Sequence, residues 1–101
     1  MLIAVAQVTL VIAHSHSLKE KRAVVRKIKD RVAARLDVRI AEVGGLDTWQ
    51  RAVLGLAIVG ADRRHIESVR DDVVRAIEAI AEGEVVAVDR DVLAFADEMI
   101  S

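Results

Sequence analysis

Apolar and polar positions alternate from the start of the chain. Leu2, Ala4, Ala6, Val8, Leu10 and Ile12 share one side of an extended backbone, against Ile3, Val5, Gln7, Thr9 and Val11 on the other. Residues 2 to 12 are therefore predicted as a strand whose even side faces the core. The period then changes. At 100° per residue Leu18, Val25, Ile28, Val32 and Leu36 fall on one arc, widened by Val24, which predicts a helix over 18 to 36. Ser17 followed by Glu20 forms a capping box at its start. Extended patterning resumes at Val38 and Ile40, alternating with Arg39 and Ala41. Gly44-Gly45-Leu46-Asp47 makes a turn, and Gln50 to Val59 runs on with Ala52, Leu54, Leu56 and Ile58 on one side, so these two strands form a hairpin. Asp62 caps a second helix over 63 to 82 with the stripe Ile66, Val69, Val73, Ile77 and Ile80, and Gly83 ends it in the left-handed conformation. Glu84 to Val88 is a short fourth strand, and Val92 to Ile100 is read as one or two further turns of helix.

The order β-α-β-β-α-β is that of the ferredoxin-like α+β sandwich, an antiparallel four-stranded sheet of spatial order 4-1-3-2 with two helices on one face. At 101 residues it is one domain, residues 1 to 101. That topology puts the end of the first strand, the start of the first helix and the hairpin at one end of the sheet. His14, His16 and Ser17 should neighbour Gly44, Asp47 and Trp49, with Asp62 and His65 remote.

Composition narrows the picture. Apolar residues make up 53% of the chain but only Trp49 and Phe95 are aromatic, so the core must be aliphatic. No cysteine is present, which excludes disulfide and thiolate chemistry. The apolar opening lacks a basic flank and is broken by Gln7 and Thr9, so it is neither signal peptide nor membrane span, and the cytoplasm is the expected location with no membrane partner. The net charge of −1 conceals an asymmetry: between His14 and Arg35 eight cations face two acids, a local charge of +6. Arg22, Arg26 and Lys29 border one side of the apolar stripe, Lys27, Arg31 and Arg35 the other.

The segments Ser17-Leu18-Lys19-Glu20-Lys21-Arg22 with Val24-Val25, then Val38-x-Ile40-Ala41-Glu42-Val43, then Asp47-x-Trp49-Gln50-Arg51-Ala52, over roughly residues 2 to 90, resemble the YlxP-like family of small bacterial proteins of unknown function. The resemblance implies a ferredoxin-like fold and often a gene setting among translation and ribosome-maturation factors. It implies no established activity and assigns no functional residue. Where members commonly have an aromatic residue and an Asn, this chain has Leu36-Asp37.

Candidate chemistry is sparse. His14 and His16, beside the Ser17 cap, could hold an anion at the helix start or a metal, but a structural zinc site wants four ligands and would have to recruit Asp47, Glu42 or a second chain. The alternative is a pair of solvent-exposed or backbone-bonded histidines, and no metal or cofactor is assigned. Glu42 shares parity with Val38 and Ile40 and so points inward, needing a partner such as Trp49 or Arg51, unless a bulge at Ala41 to Val43 turns it to solvent. Trp49 is read either as a plug over the end of the core or as a ligand or RNA contact.

Two functions from different classes follow. One is an RNA- or ribosome-associated accessory protein, with Lys19, Arg22, Arg26, Lys27, Lys29 and Arg31 as phosphate-binding residues. The other is a homodimer whose open, small-aliphatic sheet faces pack together. An enzyme is not expected: an acylphosphatase-like use of the fold wants a Gly-rich loop after the first strand, and Ala13 to Ser17 contains no glycine.

Overall fold

The computed structural model describes residues 1–96. Its elements are β1 (Leu2–Val11), α1 (Leu18–Arg35), β2 (Ala41–Gly44), β3 (Arg51–Gly60), α2 (Arg63–Ala81) and β4 (Val85–Ala94). The sheet order β2-β3-β1-β4 is the expected 4-1-3-2 arrangement read from the other edge, with every neighbouring pair antiparallel. The protein is thus a ferredoxin-like βαββαβ sandwich. The even residues of β1 (Ala4, Ala6, Val8, Leu10), continued by Ile12, are buried together with Ala52, Leu54 and Leu56 of β3. Val25, Ile28 and Val32 of α1 and Ile66, Val73, Val74 and Ile77 of α2 close over them. Each of the larger aliphatic side chains removed from water contributes about 2 kcal/mol. The core contains no aromatic ring, Trp49 and Phe95 being 53% and 67% exposed.

The fourth strand is longer than the pattern indicated. β1 offers ten residues of ladder, and β4 follows it with Ala4 opposite Val92 and Ile3 opposite Leu93. Val92–Ala94 are therefore strand and not helix, because the free edge of β1 supplies backbone partners that an isolated turn of helix lacks. The remainder of the proposed C-terminal helix, 97 to 100, lies outside the described residues. The second strand is shorter and later than expected. Val38 and Ile40 precede the ladder but still turn inward, Ile40 being buried and Val38 half-buried.

Candidate functional site

α1 begins as its sequence dictates, with Ser17 Oγ accepting from Glu20 N at 3.1 Å. The reciprocal half of the capping box is shifted by one residue, since Glu20 Oε2 accepts from His16 N at 2.6 Å. Ser15 is fully buried, with its hydroxyl donating to Ser17 O at 3.0 Å, so the flanking His14 and His16 both face solvent. His14 Nδ1 lies 3.6 Å from Glu84 Oε2 beyond α2, not near Glu42 or Asp47. Among the described residues, no three His, Asp or Glu side chains are grouped to hold a metal.

The expected meeting of the α1 start with the β2–β3 hairpin is present, and its centre is a charged residue that is not among the candidate site residues drawn from the sequence. Lys21 is 1% exposed. Its ammonium donates to Gly45 O at 2.6 Å, Leu46 O at 3.3 Å and Arg51 O at 3.4 Å, and lies 2.8 Å from Glu42 Oε2. The contact to Glu42 Oε2 is an ion pair outside the alignment of a regular hydrogen bond. Glu42 thus points to the core side, as its parity with Ile40 requires, and is only 16% exposed. Its partner is Lys21, not Trp49 or Arg51. The bulge falls after it, between Glu42 and Gly44, and rotates Gly44 over Val53, which explains why Val53 is buried on an otherwise open face.

Gly45 completes the arrangement. Its φ of 70° lies in the left-handed region, and a Cβ there would come within 2.8 Å of Arg51 O. Only glycine brings that carbonyl under the ammonium without strain. Gln50 ties the other arm of the loop, its amide donating to Ala13 O at 3.1 Å and Ser15 O at 3.3 Å. The loop is fixed from two sides, yet Trp49 and Leu46 are exposed and Asp47 faces solvent. Trp49 is therefore not a plug over the core.

The remaining cations of α1 are on the surface. Lys19, Arg22, Arg26, Lys27 and Arg31 are exposed and Lys29 is half-buried. None of the six lies within 4.0 Å of a carboxylate among the described residues. Of the α2 acids that could have neutralised them, Asp71 and Asp72 are engaged elsewhere, while Glu78 is exposed and makes no ion pair with α1 among the described residues. Asp72 pairs with Arg75, and Asp71 with Arg70 at 3.0 Å and Arg90 at 3.1 Å. Partial desolvation pushes the Asp71 carboxyl up, but hydrogen bonds and charge from Arg70 and Arg90 outweigh it and hold the group below its ordinary value. Arg70 itself is buried, running under β4 to donate to Asp91 O at 3.1 Å.

Fold and site together define a small ferredoxin-like protein with a basic helix whose surface cations have no carboxylate partner among the described residues, and a hairpin loop pinned from within by a lysine. Residues 3–90 match the family described as "Protein of unknown function (DUF503)", and the chain belongs to that family. It is 39% identical over 81 residues to the uncharacterized protein YlxP of Bacillus subtilis (strain 168), an alignment spanning 80% of this chain and 88% of that protein. The resemblance carried by the Ser-Leu-Lys-Glu-Lys-Arg and Asp-x-Trp-Gln-Arg-Ala segments is thereby established. A crystal structure of a NIPSNAP family protein from Agrobacterium tumefaciens strain C58 aligns over 97% of this chain and 96% of its own, at 12% identity and a TM-score of 0.45, and no property of it is carried over.

Proposed function

We propose that the protein is a non-enzymatic accessory factor that binds RNA phosphates, free or on a ribosomal particle, through the outer surface of α1. The observation that supports this reading is the set Lys19, Arg22, Arg26, Lys27 and Arg31, exposed and without a carboxylate partner among the described residues. Surface cations that served only the fold would be expected to find the acids of α2, and Asp71 and Asp72 are taken by arginines of α2 and β4. Stacking of bases on the sheet, as in aromatic-bearing RNA-binding sheets, is not the mode, because Val5, Gln7, Gly55 and Ala57 occupy the centre of the open face. Contacts made by one basic helix surface read charge and spacing rather than base edges, so affinity depends on salt and little on sequence. Such a role places the protein in the cytoplasm, in keeping with helices that are, among the described residues, too short or too polar to cross a membrane.

The test is a fluorescence anisotropy titration with structured RNA, or with ribosomal subunits, at several salt concentrations. Neutralising about three or four phosphates gives a log–log salt slope of roughly −2 to −4, and Arg22→Glu with Arg26→Glu reduces its magnitude by roughly 1.5. Binding insensitive to both salt and the double reversal would refute the reading.

A further inference from the structure

The face of the sheet away from the helices carries the second feature without an internal role. A groove of about 980 Å³ lies along it, bounded by Asp37 and Arg39 on the β2 side and by Asp89 and Asp91 on the β4 side. Val43, Val59 and Leu93 are each about half exposed around it. We infer that this face binds the same face of a second copy of the chain, in a two-fold dimer in which Arg39 of each protomer meets Asp91 of the other.

The inference rests on register. Val5 stands opposite Ala57 of β3 on one side and Asp91 of β4 on the other. Ala41 pairs with Gly55, and Arg39, two residues before the ladder begins, lines the same groove as Ala57 and Asp91. One row across the sheet therefore reads Arg39, Ala57, Val5, Asp91: a cation at one edge, an anion at the other, small aliphatic side chains between. The row above it, Ala41, Gly55, Gln7, Asp89, repeats the acidic edge. A two-fold axis parallel to the strands, placed over the seam between β1 and β3, keeps each row at its own level while exchanging the edges. Arg39 of one protomer then lies over Asp91 of its partner, twice, and Val5 of each packs on Ala57 of the other. An isologous interface must be self-complementary, and the Arg39–Asp91 row meets that requirement in charge.

Size is sufficient. Three strands of ten residues and one of four, at about 3.3 Å per residue and about 4.8 Å between strands, make a plane of about 540 Å². Two such faces bury on the order of 1,000 Å² or more, the lower range of specific interfaces. Sheets in aligned face-to-face packing lie about 10 Å apart, a gap that small central residues leave for arginine side chains to span.

Sedimentation velocity of the purified protein without RNA tests this independently of the α1 reading. Wild type is expected to dimerise at tens of micromolar, where ordinary interfaces are populated. Arg39→Asp alone and Asp91→Arg alone each oppose like charges twice and weaken dimerisation roughly tenfold or more. The chain carrying both substitutions restores it, and so does an equimolar mixture of the two single variants, because each then supplies the complement that the other lacks. Val5→Lys, with its fold checked by circular dichroism, abolishes the dimer. Wild type that stays monomeric at about 100 micromolar overturns the inference. So does a dimer untouched by Val5→Lys, or a mixture of the single variants that associates no better than either alone; a different protein found on this face in a monomeric wild type has the same consequence.

Discussion

Lys21 shows how a charged residue can be a core residue. On the α1 wheel it stands three residues after Leu18 and four before Val25, in the gap that the stripe of Leu18, Val25, Ile28 and Val32 leaves open. Its long methylene stem runs through the apolar layer, and its head reaches the hairpin carbonyls and Glu42. Replacing Lys21 with Met leaves a nearly buried carboxylate without a counter-charge and costs about 3 kcal/mol, the lower range for breaking a buried pair. Combining it with Glu42→Met recovers most of that loss, since the carbonyls at 45, 46 and 51 lie near enough to the surface for water to replace the ammonium. Urea midpoints of the two single variants and the double variant measure the coupling, and additive effects would show that the pair is incidental. The stripe itself contained the signal, because a periodic gap filled by Lys is a position where the chain must be buried whatever its charge. Arg70 repeats it, four residues from Ile66 and four from Val74. What periodicity could not supply was the partner: Glu42 follows Lys21 by 21 positions and meets it only through the tertiary fold.

At the scale of elements, both helices and the first and third strands were legible because each buries one clean face. β4 was legible only as far as Val88, and the reason is compositional: Asp89, Arg90 and Asp91 interrupt its apolar alternation. Their placement makes sense only once β1 and α2 flank the strand. Arg90 turns toward α2 to meet Asp71, while Asp89 and Asp91 face the groove. The α2–β4 tie has a pH signature. Asp71 titrates below its unfolded value, so its contribution is complete above about pH 4 and is lost as pH falls through the depressed native pKa. The side chain is 35% exposed, which limits the effect to about 0.5 kcal/mol. Asp71→Asn should therefore lower stability at pH 7 by about that amount and make no difference near pH 2, as thermal melts across that range would register.

Across the whole molecule, connectivity decides how the parts depend on one another. β1 pairs with β3 and with β4, joining its residues to partners about 40 to 92 positions away, and only β2–β3 is a local pairing. Long loops must close before most of the sheet exists, so the sheet forms and dissolves largely as a unit. The β2–β3 hairpin, at an edge, is the exception that could open alone, and the Lys21 contacts are what oppose its doing so. This arrangement turns one side chain into a clock. In the folded protein an amine-reactive reagent meets Lys19 and Lys27 at the surface, while Lys21 is shielded from it by burial and by its contacts to the hairpin. Its acylation must wait for an opening event. Time-resolved peptide mapping should find Lys21 lagging far behind its neighbours, at a rate set by opening of the hairpin rather than by the reagent's reactivity. If hairpin and sheet open together, urea well below the unfolding midpoint accelerates Lys21 as steeply as it erodes global stability; if the hairpin opens alone, the labelling rate stays nearly flat, and a single lysine distinguishes the two.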